Sequence, residues 1–223
     1  MKLPMLRKCT ITLIALIWSL PALNAQNKTW TIDPDHSRIQ FKSVFMSITD
    51  VYGIFKDYTG TVVTGGNEFD RASIEVTIQV ESIDTENDKR DGHLRSEDFF
   101  YAENYPEIHF KSLSFSKEKD STFLLQGELT MRGVTRNETF HVVYNGMVDL
   151  EDQQRAAFKL SGTVNRFDYN INWNKSFARG LIVSKEIAIN CEISLVSEKK
   201  QPDPGEGLDQ RDLHQRSLPH PLR

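Results

Sequence analysis

Apolar and polar positions alternate along most of this chain with a period of two residues, which is the pattern of β-strands that bury one face. The clearest run covers residues 74–80, where isoleucine and valine alternate with polar side chains. The alternation returns in four later segments: residues 123–131, 140–144, 158–164 and 187–195. No such run is followed by a long helical pattern. The sequence therefore predicts about eight strands in an all-β antiparallel barrel rather than a parallel α/β sheet.

A polar segment, residues 82–110, is the longest interruption of this alternation, and we call it the cover segment. Asp88 is placed to cap a short helix, because its carboxylate can accept hydrogen bonds from backbone N–H groups. Leu94 and Phe99 are spaced to press one side of that helix inward, and Pro106 ends it. We predict a short helical cover over one end of the barrel. The simpler alternative is a charged surface loop whose aromatic residues plug the core.

The two ends of the chain differ in composition from the middle. A basic start is followed by an apolar run at residues 11–20 that is too short to span a bilayer comfortably, which predicts a cleavable signal peptide over residues 1–25. Residues 26–198 then form the barrel domain. Residues 199–223 hold four of the chain's eight prolines and no periodic apolar face, so we predict a disordered tail. A signal peptide places the protein in the periplasm or outside the cell.

Charge and cysteine content exclude several classes of protein. The chain has 27 basic and 31 acidic residues, and removal of residues 1–25 takes away three basic residues, which leaves 24 − 31 = −7. Such an acidic chain is a poor ligand for nucleic acid, whose binding depends on lysine and arginine. Cys9 is lost with the signal peptide, so Cys191 has no disulfide partner in the remaining chain. Cys191 lies on the apolar phase of its strand, which predicts a buried, inert thiol.

Catalytic and metal motifs are weak in this sequence. His36, His93 and His109 stand in the folded part, but no HExxH spacing is present and we predict no metal site. A GxSxG nucleophile motif is also missing. An enzyme is therefore the weaker class, and we predict no cofactor. One alternative is kept open, a hydrolase or isomerase that uses His93 with Asp91.

The inward phase of the predicted strands is almost entirely hydrocarbon, which suits either a fully packed core or a pocket for an apolar ligand. Gly127 and Gly162 fall on that phase, and we interpret them as leaving space inside the barrel. Alternation alone does not separate a packed core from a pocket.

Several motifs carry a resemblance to a known family. They occur in order as WTIDPDHS at residues 30–37, GIF at 53–55, SIDT at 82–85, RDGHLR at 90–95, DFF at 98–100, YPEI at 105–108 and GELTMRGVT at 127–135. Together they resemble the YceI-like family of lipid- or polyisoprenoid-binding periplasmic proteins, over about residues 30–196. The sequence departs from the family pattern at residues 168–171, where a phenylalanine-glycine pair is usual. Asn170 can adopt the left-handed turn there, because asparagine tolerates that conformation.

The resemblance implies an extended, lipocalin-like, eight-stranded antiparallel barrel that holds an isoprenoid lipid or quinone, for carriage or storage, without enzymatic activity. The candidate residues for lining the lumen are Phe41, Ile74, Val76, Ile78, Phe123, Leu125, Leu129, Phe140, Val142, Phe158, Leu160, Ile187, Ile189 and Ile193. The candidates for ordering the mouth or meeting a headgroup are His36, Arg90, Asp91 and His93. The simpler role for those four is to pin the cover segment to the barrel. Further hypotheses are a transient membrane contact, a homodimer, and an exported interaction or stress protein without a ligand.

Overall fold

The computed structural model describes residues 27–66, 68–177 and 180–199. The predicted signal peptide (1–25) and, apart from Lys199, the predicted tail (199–223) lie outside these ranges, so both stay predictions. The described strands are β1 (Asn27–Ile32), β2 (Arg38–Phe45), β3 (Thr49–Phe55), β4 (Tyr58–Gly65), β5 (Glu68–Gln79), β6 (Ile83–Asp84), β7 (Glu107–Lys119), β8 (Thr122–Met131), β9 (Val134–Asp149), β10 (Gln153–Asn165), β11 (Ser176–Phe177), β12 (Gly180–Leu181) and β13 (Glu186–Glu198). The described helices are α1 (Asp88–Arg95) and three short 3-10 helices, Pro34–His36, Val80–Ser82 and Arg166–Tyr169.

Eight strands close into an antiparallel barrel in the order β1, β4, β5, β7, β8, β9, β10 and β13. Pairing of Thr31 with Val196 joins β13 back to β1 and closes the ring. Strand β2 pairs with the same edge of β13 at residues 188–192, and β3 and β6 extend the sheet from there. Closure leaves the eight barrel strands with few unpaired backbone groups, which stabilises long strands in water. The predicted all-β, eight-stranded antiparallel barrel is confirmed.

One end of the barrel is filled by an aromatic cluster, which we call the aromatic floor. It consists of Trp30, Phe69, Tyr144 and Phe158, with ring centroids of Phe69 and Phe158 4.8 Å apart. The Trp30 indole is fully buried and donates from Nε1 to Thr64 Oγ1 at 3.2 Å. That hydrogen bond satisfies the polar atom which burial would otherwise leave unpaired. The floor therefore closes this end of the barrel against water.

The opposite end, which we call the helical end, is covered by α1. The predicted helix is present, but its cap is Asn87 and not Asp88, and it ends at Arg95 and not at Pro106. The Asn87 backbone is extended (φ −153°), and its side-chain oxygen accepts from the Arg90 backbone N–H at 3.0 Å, whereas Asp88 is already the first helical residue. Leu94 and Phe99 face the interior of the barrel as predicted.

A second element completes the helical end, namely the 3-10 helix Arg166–Tyr169 and the residues that follow it. Asn170 ends this helix with φ 60° and ψ 20°, so the predicted left-handed asparagine is confirmed. Arg132, in the turn between β8 and β9, donates to the carbonyl oxygens of both Glu97 and Asn170. This one side chain therefore ties the cover segment to the end of the 3-10 helix.

Candidate functional site

The barrel encloses a cavity of about 270 Å³, which we call the lumen. Every one of the eight barrel strands contributes to its wall, and Phe99 and Phe100 of the cover segment line it at the helical end. The wall is almost entirely apolar. An apolar cavity of roughly 150 Å³ is large enough to bind benzene, so this lumen has room for a longer hydrocarbon segment than one six-carbon ring.

The exposed fraction of the inward side chains distinguishes a barrel that contains a lumen from a barrel with a packed core. On β5, Phe69 and Ala72 are buried beside the aromatic floor, whereas Ile74, Val76 and Ile78 further along the strand are only half-buried. All three half-buried residues line the lumen, so the surface that they retain faces the cavity. In a close-packed interior such residues lose nearly all of their accessible surface. The structure thus favours the pocket that alternation alone left undecided.

Thirteen of the fourteen residues predicted to line the lumen lie on its wall. They are Phe41, Ile74, Val76, Ile78, Leu125, Leu129, Phe140, Val142, Phe158, Leu160, Ile187, Ile189 and Ile193. Phe123 does not lie there. It is buried, and its ring stacks on Phe115 with centroids 4.7 Å apart. Phe115 is the member of this pair that lies on the lumen wall. Contact of the thirteen with a ligand stays a prediction.

Strand β7 lines the lumen with Ile108, Phe110 and Phe115, none of which was among the predicted wall residues, and a β-bulge places Phe115 there. Strand β7 has inward residues at Ile108 and Phe110, and its register against β8 shifts between Ser112 and Ser114. The extra residue, Leu113, points outward with 60% of its surface exposed. A bulge inserts one residue and reverses the facing of everything after it, so Phe115 turns inward although it falls on the opposite phase.

The two inward glycines make room for aromatic rings and not for a ligand, which corrects our interpretation of them. A Cβ atom on Gly127 would lie 2.3 Å from Cζ of Phe110, and one on Gly162 would lie 2.5 Å from Cδ1 of Phe140. These separations are far below van der Waals contact, so a side chain at either position would clash with the phenylalanine ring that packs there.

Two of the predicted mouth residues fasten α1 to the barrel. Asp91 is only 5% exposed, and its carboxylate accepts from the Thr85 backbone N–H at 3.0 Å and from the Thr85 hydroxyl. Arg90 donates from Nε to Thr85 Oγ1 at 2.7 Å and from Nη2 to the Thr85 carbonyl at 2.6 Å. Thr85 directly follows β6, so these bonds hold the helix on the sheet. The geometry supports the pinning role for Arg90 and Asp91.

The other two predicted mouth residues have different partners. His93 Nε2 lies 2.9 Å from Asp98 Oδ2, and its imidazole packs edge-on against the rings of Phe99 and Trp173. Asp91 instead bonds Thr85, so the structure does not bring together the dyad required for the hydrolase or isomerase alternative. His36 pairs with Asp33 at 2.8 Å and is two-thirds exposed, outside the α1 group.

Arg166 lines the lumen at the helical end and was not predicted. It is only 4% exposed, and the loss of solvent lowers the pKa of its guanidinium to about 10. The sequence did hold a signal for it, because the inward phase of β10 runs through Leu160, Gly162 and Val164 and next reaches Arg166. The lumen wall also includes Cys191, whose burial raises the pKa of its thiol to about 11. That shift agrees with the predicted inert cysteine.

The described residues 27–66, 68–177 and 180–199 contain no cluster of three or more histidine, cysteine or acidic side chains arranged to bind a metal. Among the helices that the structure describes, none has the length and apolar character needed to cross a membrane.

The fold and the site define a class, a closed antiparallel β-barrel with an apolar internal pocket and a helical cover. The sequence profile of the YceI-like domain matches residues 30–195, so the chain belongs to the YceI-like family. A UPF0312 protein of Staphylococcus epidermidis is 35% identical over 153 residues, which are 68% of this chain and 86% of that protein.

Solved structures agree with this assignment. The Campylobacter jejuni YceI protein superimposes with a TM-score of 0.60 at 28% identity, over 69% of this chain and 88% of that one. A polyisoprenoid-binding domain from Saccharophagus degradans shares the fold, with a TM-score of 0.55 at 13% identity over 75% of this chain and 98% of that one.

Proposed function

We propose that this protein binds a long apolar chain, a polyisoprenoid or an isoprenoid quinone, in the lumen and serves to carry or store it. The observation that carries this proposal is a cavity walled by hydrocarbon side chains from all eight barrel strands. Each methylene that leaves water for such a wall contributes about 0.8 kcal/mol. Several enclosed isoprene units therefore offset the cost of association. The name of the Saccharophagus degradans domain, which shares this fold, adds support for an isoprenoid ligand.

The proposal is tested by incubating the purified full chain with geranylgeraniol and, separately, with an isoprenoid quinone. Unbound lipid is removed by gel filtration, and the protein fraction is extracted and quantified. We expect about one mole of prenyl chain per mole of folded protein. A folded protein that retains neither chain would rule the proposal out.

We further propose that the protein is exported and meets a membrane when it loads or releases its ligand. The pattern of residues 1–25 supports export. The tip of the β2–β3 hairpin supports the membrane contact, since Ile48 and Phe45 are 74% and 42% exposed there. Phe45 pairs with Val183, and Val183 lines the lumen, so the apolar tip adjoins the lumen wall. Insertion of the tip into a bilayer would shorten the aqueous path of the ligand.

A further inference from the structure

The cover segment is fastened to the barrel along its β6 side. Arg95, in the last turn of α1, donates from Nε to the Glu81 carbonyl at 3.0 Å and from Nη2 to the Ile83 carbonyl at 3.1 Å. In the first turn, Arg90 and Asp91 bond the residue that follows β6. Because both turns of the helix are bonded to the same strand region, we call this side the fixed edge of the cover.

The other side of the cover segment faces residues 170–175, which follow the 3-10 helix and which we call the return segment. Among the described residues, no hydrogen bond joins the cover segment directly to the return segment. Arg132, in the turn between β8 and β9, links them instead by donating to the carbonyl oxygens of Glu97 in the cover and Asn170 in the return segment. One side chain therefore carries the hydrogen bonding across this boundary in the described chain.

Aromatic rings also meet across the boundary. The Trp173 ring of the return segment lies 5.0 Å from the His93 ring and 5.2 Å from the Phe99 ring of the cover, measured between centroids. The Arg166 guanidinium is 6.0 Å from the Phe99 ring, at the limit of a cation–π contact. Separating such rings leaves no donor or acceptor unpaired, so it costs less than breaking buried hydrogen bonds.

The return segment is itself fastened on its far side. Arg166 Nη1 donates to the carbonyls of Ile171 at 2.6 Å and Trp173 at 3.0 Å. The Asn174 side chain donates to the Val183 carbonyl at 2.6 Å and accepts from the Val183 N–H at 3.2 Å. Val183 pairs in turn with the last residue of β2. Each side of the boundary is thus held in place by its own part of the barrel.

The lumen lies beneath this boundary. Leu94 and Phe99 line it from the cover segment, and Ile171 lines it from the return segment. Separation of the two sides would therefore widen the access to the cavity from the helical end. The opposite end is filled by the aromatic floor, so it offers no comparable route.

We propose that the boundary between the cover segment and the return segment is the portal through which the ligand enters and leaves the lumen, and that Arg132 holds its two sides together. The inference rests on the proposed function, because it assumes a ligand that exchanges with the lumen. Arg132 does not line the lumen, so its two bonds form whether or not a ligand is present. A change that destabilises the joined state equally with and without ligand raises the entry and release rates by the same factor and leaves the dissociation constant unchanged.

The first test compares two arginines that each donate to two backbone carbonyls at the helical end. R132Q removes the bonds across the portal, whereas R95Q removes bonds at the fixed edge. Entry and release of geranylgeraniol are measured on the full chain with methyl-β-cyclodextrin as donor and acceptor, so that no membrane takes part. We expect both rates to rise roughly 10-fold in R132Q, the effect of losing a hydrogen bond to a charged group, with an unchanged dissociation constant. R95Q should exchange the ligand at wild-type rates.

A reversible lock tests the portal independently of R132Q. His93→Cys combined with Trp173→Cys places one thiol on each side of the portal, where the native rings are in contact. A reducible bismaleimide linker then joins the two thiols, while the native Cys191 is buried. The locked protein should lose exchange of geranylgeraniol, and reduction of the linker should restore it in the same sample.

Three results would overturn the inference while leaving the proposed function intact. They are exchange rates in R132Q that equal those of the wild type or of R95Q, an R132Q in which release alone accelerates and the affinity falls, and a locked protein that exchanges ligand as fast as the reduced one. The second result would give Arg132 a purely structural role. A wild-type protein that binds neither geranylgeraniol nor an isoprenoid quinone would instead refute the proposed function. If R132Q does not fold, the locked and reduced forms still provide the comparison.

Discussion

Substitution of Val76 by aspartate tests the lumen directly. Val76 lies midway along β5, pairs with Gly60 and Phe110 on the neighbouring strands, and lines the cavity. An aspartate there is solvated while water occupies the lumen, but an apolar chain drawn over it strips that water away. The effective penalty for desolvating a carboxylate is several kcal/mol. A loss of about 4 kcal/mol corresponds to an affinity about 1,000-fold weaker.

The ligand affinity of Val76→Asp should depend on pH, because the cost of burying the new side chain depends on its charge. Protonation removes the charge, and a neutral acid costs much less to bury than a carboxylate. The affinity deficit of Val76→Asp should therefore be largest near pH 8 and shrink as the pH falls through the pKa of the new carboxyl group. The assay is a titration with geranylgeraniol across this pH range, with folding monitored by circular dichroism at each pH.

The matched control is Thr77→Asp, the same change one position along the strand. Thr77 bonds His109 Nδ1 at 3.2 Å on the outer face of the barrel, away from the lumen. We expect Thr77→Asp to bind like the wild type at every pH. A folded Val76→Asp with unchanged affinity, or an equal loss in Thr77→Asp, would refute the assignment of the lumen as the binding site.

Three further predictions concern the cover, the thiol and the hairpin tip. Asp91→Ala removes the buried acceptor that holds α1, which should cost about 2–3 kcal/mol of stability and lower the Tm by roughly 5–10 °C. Asp88→Ala, at an exposed position of the same helix, should change the Tm little. Equal Tm values for the two variants would contradict the pinning role. The raised pKa of Cys191 keeps its thiol protonated, so alkylation at pH 8.5 should be at least about 100-fold slower in folded than in unfolded protein. The rate is measured by mass spectrometry of the peptide that contains Cys191. Similar rates in the two states would show an accessible thiolate. Ile48→Asp should slow the transfer of a prenyl chain from phosphatidylcholine vesicles to the protein without changing the equilibrium affinity. Val148→Asp, at an exposed position on β9, should leave the transfer rate unchanged. Identical transfer rates for the two variants would show that the hairpin tip does not contact the membrane.

Much of the barrel could be predicted because the pattern that specifies a strand involves only residues that are close together in the sequence. A two-residue period gives the strands and their inward faces directly, and thirteen wall residues follow from it. Asn170 was predictable for a similar reason, since few residues other than glycine adopt its left-handed backbone. The helix that carries Asp91 could be predicted from the sequence. Its position next to β6, and with it the contact of Asp91 with Thr85, could not.

The sequence is least informative where a single residue changes the local backbone. Leu113 forms a bulge that no composition signal marks, and it reverses the facing of Phe115. The helix cap is Asn87 and not the predicted Asp88. Asparagine and aspartate both cap helices well, so the residue types do not distinguish the two positions and only the backbone angles do. Neighbouring signals of equal strength limit what a single sequence can specify.

The interactions at the helical end depend on contacts between residues that are distant in the chain. His93 meets Trp173 across eighty positions, and its nearer acidic partner is Asp98 and not Asp91. Arg166 lay on the inward phase of β10, yet its role depends on carbonyls from two later stretches of chain. Such tertiary contacts are set by how the barrel closes, so they become visible only in three dimensions.

The most direct test of ligand binding is to purify the protein from cells without detergent, extract it with organic solvent and analyse the extract by mass spectrometry. We predict a prenyl lipid or isoprenoid quinone in a ratio of about one to one with the protein. An extract without any such lipid, from a folded protein that also takes up none when isoprenoid quinones are supplied, would contradict the binding function and leave a barrel that acts without a lumenal ligand.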